Sequence, residues 1–213
     1  MKKLGIKDPG SAVTHGIACI LAILGAAPLL VKAAREPDYL HMIALGIFML
    51  SMILLYAAST IYHSLDVNEK VNRRLRKMDH MMIFVLIAGS YTPFCVVLLP
   101  QPRGTQFCLI LWGVALAGVL AKMLWINAPR MLSTAVYLIM GWSVVFVAKD
   151  FTALGQPCLT LVALGGICYS VGAEFYAVKK PNISAEWTFH ELFHLLILAG
   201  SFFHYLAVYL YVL

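Results

Sequence analysis

The chain has 213 residues, of which 62% are hydrophobic and 12% are charged, and its formal net charge is +6 at neutral pH. A soluble domain carries about twice that charged fraction, so a large globular core in water is excluded. The basic residues lie between apolar stretches rather than on a polar face rich in aromatic residues. That distribution argues against nucleic-acid binding and favours contact with anionic lipid headgroups.

Seven apolar stretches each approach the roughly 20 residues that a helix needs to cross hydrocarbon. In chain order, we place the spans at about 11–34, 39–64, 79–100, 105–125, 131–148, 156–178 and 187–213. The fifth is the shortest. The polar run 66–78 is interpreted as a loop, and its basic segment 72–77 is expected to contact headgroups. The sequence therefore predicts an all-α membrane protein, a bundle of seven transmembrane helices that forms a single domain over residues 1–213.

Lysine and arginine are distributed unequally between the two sides of this bundle. Twelve lie on the side of the N-terminus and four on the other side. By the positive-inside rule the N-terminus is cytoplasmic, and seven crossings place the C-terminus outside. The predicted location is the plasma membrane.

Four polar groups lie at the ends of apolar spans on the predicted cytoplasmic side. His63 ends the second span, Asp79 begins the third, and His190 and His194 lie in the first two turns of the seventh. Such groups are costly near hydrocarbon, so their convergence indicates a site near the cytoplasmic face. The competing interpretation is that each is an ordinary residue of the membrane interface.

The residue types indicate a metal centre, with zinc as the cofactor. His190 and His194 are four residues apart and share a helix face, and His63 adds a third imidazole from another helix. Three imidazoles and a water form an open zinc site, in which the pKa of the bound water falls to about 7. Ser59 lies one turn before His63, and either Ser59 or Asp79 is positioned to orient the water or accept its proton.

The string His190-Glu191-Leu192-Phe193-His194 also matches the HExxH pattern of metalloproteases, in which the glutamate is the general base. Here the string begins a membrane span, and no third ligand follows at a convincing spacing. A peptidase is therefore disfavoured, and Glu191 is kept as an alternative base.

These residues carry a resemblance to a known family. The order Ser59-x3-His63, Asp79 and His190-x3-His194 resembles that of the hemolysin III family, the bacterial branch of the progestin and adipoQ receptor superfamily, whose eukaryotic members include the adiponectin receptors. The similarity covers essentially the whole chain. Supporting segments are Thr14-His15-Gly16, Met78-Asp79-His80, Ala88-Gly89-Ser90-Tyr91-Thr92-Pro93-Phe94 and Phe189-His190-Glu191-Leu192-Phe193-His194.

The resemblance implies a seven-helix bundle with a cytoplasmic N-terminus and zinc held by His63, His190 and His194. It also implies that Asp79 lies near a zinc-bound water and that Ser59 lines the site. Hydrolysis of lipid amides, a ceramidase-like activity, is attributed to eukaryotic relatives, whereas bacterial members are called hemolysins or pore formers.

The first motif of the family differs in this chain. Ser11 occupies the position of the family's asparagine, four residues before His15, and the nearby acid is Asp8. His15 begins the first span on the cytoplasmic side, so it is expected to approach the site beside the ligands without binding the metal itself.

Three functions follow from this pattern. The first is an intramembrane zinc hydrolase that acts on lipid amides, with membrane lipid as its substrate. The second is a receptor or regulator in which zinc is structural and lipid is a ligand. The third, a pore, is disfavoured because no span shows the polar stripe that lines a water-filled path.

Overall fold

The structure, a computed structural model, describes residues 6–152, 156–184 and 187–212, and within these ranges it contains helices and no strands. The all-α prediction is therefore confirmed. A π-helical turn, Phe94–Leu98, extends the third helix, and a 3₁₀ turn, Trp142–Phe146, extends the fifth. The helices are α1 (Pro9–Ala33), α2 (Tyr39–Ser64), α3 (Glu69–Pro93), α4 (Arg103–Leu124), α5 (Arg130–Gly141), α6 (Ala148–Thr152), α7 (Gln156–Val178) and α8 (Phe189–Tyr211).

Six of these helices are long and apolar enough to cross a membrane: α1, α2, α3 with its π-helical turn, α4, α7 and α8. Many of their large apolar side chains face outward, including Leu24, Leu109 and Leu116, each more than 60% exposed. An outward apolar surface of this extent is stable against lipid and not against water. The chain is therefore a multi-span membrane protein.

The fifth predicted span is built differently from the others. Residues 131–148 were predicted to form one crossing, and the structure divides them among the short α5, the 3₁₀ turn and the start of α6. The apolar segment Arg130–Phe146 is shorter than the six long helices.

The prediction of a loop over 66–78 was wrong for its larger part, because α3 begins at Glu69. The side chain of Asn68 caps the helix by accepting a hydrogen bond from Val71 N. Lysine, arginine, glutamate, leucine and methionine dominate the segment and are good helix formers. Its charges indicate that it lies outside hydrocarbon but do not prevent it from being helical.

Close helix packing holds the core. α1 lies against α2 and α8, α3 lies between α2 and α4, and α7 packs along α8. Gly89 of α3 faces Ser51 of α2 so closely that a Cβ at this position would collide with the serine side chain. Such close approach of helix backbones is the usual way in which membrane helices pack. The fixed distance between α1, α2 and α8 positions the histidines that these helices carry.

Candidate metal centre

The start of α1, the end of α2 and the start of α8 meet at one end of the bundle. Asp8 N donates a hydrogen bond of 2.9 Å to the backbone carbonyl of His63. Ser11 Oγ donates to Glu191 Oε1 at 2.8 Å, which joins α1 to α8. Residues that are up to 180 positions apart in sequence are thereby held together.

The first turn of α8 is fixed by a capping box. The side chain of Thr188 accepts from His190 N at 3.2 Å, and Glu191 Oε2 accepts from Thr188 N at 2.9 Å and from Thr188 Oγ1 at 2.6 Å. These bonds satisfy donors that the helix itself leaves unpaired. As a result α8 begins where His190 and His194 fall on its first two turns.

The three predicted ligands come together as a cluster. One ligand atom of each of His63, His190 and His194 lies within 4.8 Å of the other two. His63 and His194 are buried, and the Nε2 atoms of His63 and His190 are 3.3 Å apart. The convergence that the sequence predicted is present in the structure.

The separation of two of these nitrogens, His63 Nε2 and His190 Nε2, fits a metal ion. Two imidazole nitrogens that each lie about 2.0–2.1 Å from a tetrahedral zinc are roughly 3.3–3.4 Å apart. The distance between His63 Nε2 and His190 Nε2 agrees with that value. An all-imidazole donor set is also one that zinc accepts well.

The other ring nitrogens of two histidines face neighbouring polar groups. His63 Nδ1 lies 2.9 Å from Asp8 Oδ2, and His194 Nδ1 lies 3.5 Å from Thr14 Oγ1. The hydrogen bond to His63 lowers the pKa of the Asp8 carboxyl, although partial burial opposes it. A carboxylate that accepts from Nδ1 fixes the tautomer and leaves Nε2 free to bind an ion.

Asp8 and Ser11 are the site residues whose contacts the sequence analysis missed. Both were noted only as departures from a family motif, and neither was expected to contact the site. The signal available was that motif itself, which places Asp8 and Ser11 seven and four residues before His15. That spacing puts the two residues at the start of α1, beside the ends of α2 and α8.

His15, which was expected beside the ligands, lies directly against the cluster. Its ring stacks on that of His194, with centroids 3.6 Å apart and an angle of 7° between the planes. Both nitrogens of His15 and the hydroxyl of Ser59 are buried without a hydrogen-bond partner among the described residues. Unpaired polar atoms are costly in such surroundings, so they indicate room for a water or a ligand group.

Asp79 lies beside the histidine cluster rather than in it. Its carboxylate is 3.4 Å from Nδ1 of the adjacent His80, and it lines the same cavity as His15, Ser59 and His194. A carboxylate, a hydroxyl and an imidazole therefore line the same cavity as two histidines of the cluster.

Glu191, the alternative base, is already engaged. Oε1 accepts from Ser11, and Oε2 accepts from both donors of Thr188. These bonds hold the carboxylate in a structural position, which disfavours it as a base.

Two cavities meet at the cluster. One, of about 380 Å³, extends from His190 and His194 between α3, α5, α7 and α8 as far as His204, and most of its lining is apolar. The other, of about 480 Å³, lies at the polar end of the bundle beside Asp8 and His63. Arg76, Arg130 and His190 line both. The arrangement is that of a buried imidazole centre between a polar opening and an apolar chamber.

The fold and site thus define a multi-span helical membrane protein with a cluster of three histidines at the polar end of its bundle. A family profile described as "Haemolysin-III related" matches residues 6–205. The chain belongs to the hemolysin III family, as its motifs predicted.

Individual relatives agree with this assignment. The chain is 37% identical over 196 residues to "Hemolysin-3 homolog" of Bacillus subtilis (strain 168), covering 92% of this chain and 89% of that protein. It is 35% identical over 208 residues to "Hemolysin-3" of Bacillus cereus, covering 97% and 92%. A more distant relative, "Adiponectin receptor protein" of Drosophila melanogaster, is 27% identical over 224 residues, which cover 93% of this chain and 49% of that protein.

Proposed function

We propose that this protein is a zinc-dependent hydrolase of lipid amides. The observation that carries the proposal is the set of polar side chains that lie beside the histidine cluster and line one cavity with it. Three imidazoles lie beside a carboxylate and an unpaired hydroxyl, and all of them except His63 line one apolar cavity. His63, His190 and His194 would hold the metal, which when bound polarises a carbonyl and makes a water nucleophilic.

The chain's own side chains supply the remaining chemistry. In this proposal Asp79 accepts a proton from the attacking water and passes it to the leaving amine. Ser59 Oγ and the ring nitrogens of His15, which have no hydrogen-bond partner in the described part of the chain, are available to donate hydrogen bonds to the scissile group. The apolar cavity between α3, α5 and α7 holds an acyl chain and keeps bulk water away from it.

In the membrane, we propose a bundle of seven crossings in which α5 and its 3₁₀ turn form the fifth. The excess of lysine and arginine on the side of the N-terminus orients the bundle with the histidine cluster near the cytoplasmic face of the plasma membrane. Reporter fusions at the two termini test this topology. Termini on opposite sides are expected, and termini on the same side would exclude it.

Asp79→Asn is the direct test of the hydrolase. Purified protein should retain its zinc while turnover of a ceramide-type amide falls by at least about 100-fold, because a positioned base contributes that much or more. Asp66→Asn, which removes a carboxylate from the loop before α3, should leave turnover unchanged. Full turnover by the Asp79 variant would exclude Asp79 as the proton acceptor.

A regulator with structural zinc is the second candidate. Hydrogen bonds already join α1 to α2 and α1 to α8 at the cluster, and a metal would add a link between α2 and α8. Stoichiometric zinc in a wild-type protein that turns over no lipid amide would favour this function over the hydrolase.

A further inference from the structure

Lys122 is buried at the end of α4 without a counter-ion. It is only 5% exposed, although neighbouring residues of the same helix turn large apolar side chains outward. Its Nζ donates to Ser133 Oγ of α5 at 2.5 Å. A hydroxyl does not neutralise an ammonium group, and an uncompensated cation within a membrane protein is expensive.

No acidic side chain of the described ranges compensates this charge. Every ion pair found there involves Asp8, Asp79 or Asp150, and none brings a carboxylate within 4.0 Å of Lys122. An ionisable side chain that is buried in a membrane protein without a partner usually belongs to a binding or catalytic site.

Lys122 lines the same cavity as the histidine cluster. Arg76, one turn before Asp79, and Arg130, at the start of α5, line it too, and Lys122 lies at the end of α4, which precedes α5. One nitrogen of Arg130, Nη1, donates to Tyr176 O at 2.9 Å, which leaves the other nitrogens of the guanidinium for a ligand. The one carboxylate of that lining, Asp79, lies beside His80. The charged part of the lining is therefore mainly cationic, and much of the rest is apolar, with Ile83, Leu86, Ile87, Leu159 and Val162 among its residues.

We propose that Lys122, together with Arg76 and Arg130, binds a phosphate group on the lipid whose chain occupies the cavity. The substrate class is then an amide lipid that carries a phosphate headgroup. A phosphate offers several strong acceptor oxygens, which match two guanidinium groups and an ammonium group. The phosphate site does not depend on the proposed function. Only the statement that this lipid is a substrate rests on the proposed hydrolase.

The test compares two lipids that differ in one group. Ceramide and ceramide 1-phosphate of the same chain length are titrated by native mass spectrometry against the purified full-length protein in an uncharged detergent. The phosphorylated lipid should bind at least about tenfold more tightly, which corresponds to one charge-assisted hydrogen bond. Equal affinities in the wild-type protein would overturn the proposal, and this comparison requires no variant.

Variants then assign the preference to Lys122. Lys122→Met, which keeps the length of the side chain and removes its charge, should lose most of the preference, whereas Lys122→Arg should keep it. Lys70→Met removes a charge from the exposed polar end of α3 and serves as the matched control. An equal loss in the Lys70 variant, or no loss in Lys122→Met, would assign the effect to surface charge and overturn the proposal.

Two further arms separate the source of the phosphate and the fate of the proposed hydrolase. Inorganic phosphate that binds at least as tightly as ceramide 1-phosphate would identify a site for soluble phosphate and overturn the lipid assignment. Phosphatidic acid and diacylglycerol form a matched pair without an amide. A preference for phosphatidic acid without hydrolysis of any amide lipid would support the phosphate subsite and contradict the hydrolase. Equal turnover of ceramide and ceramide 1-phosphate would support the hydrolase and contradict the phosphate subsite.

Discussion

The end of the bundle that carries the histidine cluster differs from the region of the apolar cavity in what its helices enclose. At that end α1, α2 and α8 are connected by hydrogen bonds between Asp8 and His63 and between Ser11 and Glu191. The short α5 lies against α3 and α7 and leaves a cavity of about 380 Å³ beside them. A metal requires ligands fixed within tenths of an ångström, whereas an acyl chain requires volume. The cluster suits the first requirement and the cavity suits the second.

Removal of a ligand from the histidine cluster should have the largest effect. His190→Ala is expected to reduce bound zinc from about one equivalent to almost none, since two imidazoles rarely hold zinc firmly. Elemental analysis of the purified protein measures this. His41→Ala, which removes an imidazole near the other end of α2, should leave the metal content unchanged, and full retention in His190→Ala would refute the ligand assignment.

Filling the cavity should abolish turnover without disturbing the metal. Ala163 of α7 lines the cavity, and Ala163→Phe places an aromatic ring where the acyl chain is proposed to lie. We expect amidase turnover to fall by at least about tenfold, because a misplaced substrate loses its reacting geometry. The control is Ala117→Phe, at an exposed position of α4. Loss of zinc in Ala163→Phe would show that the cavity and the metal site are not independent.

Removal of the carboxylate that orients His63 should weaken the metal without eliminating it. Changing the hydrogen-bond partner of a metal-binding imidazole usually costs about 10- to 100-fold in affinity. Asp8→Ala should therefore raise the zinc dissociation constant by that factor in a chelator competition. Asp66→Ala, in the loop between α2 and α3, is the control. An unchanged constant in the Asp8 variant would show that its contact with His63 does not support metal binding.

The smallest effect is expected at the link between α1 and α8. Ser11→Ala removes the donor to Glu191 Oε1, and the loss of one hydrogen bond to a charged group lowers the free energy of unfolding by about 1.5–3 kcal/mol. Thermal unfolding in detergent should report a lower midpoint. Ser64→Ala, whose hydroxyl has no hydrogen bond within the described part of the chain, should not change it. Equal midpoints for the two variants would mean that the capping box alone holds α8.

The sequence predicted the parts of this protein that follow from hydropathy and spacing. Residues that avoid water form long apolar helices, so six of the predicted spans correspond to helices of sufficient length. The spacing of His190 and His194 determines that they share a helix face. The number of spans between them and His63 predicted that His63 lies at the same side of the membrane. The same reasoning failed for residues 69–78, since polarity locates a segment relative to hydrocarbon without defining its backbone.

Tertiary packing decided the rest. Asp8 is an ordinary acid in sequence, and only the meeting of α1 with α2 makes it the partner of His63 Nδ1. Glu191 fits a catalytic pattern by its neighbours, yet Ser11 and Thr188 engage both of its oxygens. In sequence, Lys122 is an ordinary basic residue at the membrane interface. In the structure it is bonded to Ser133 of α5 and lines the cavity. Periodicity and hydropathy are properties of a single segment, whereas the partner of a polar atom depends on which segments lie beside it.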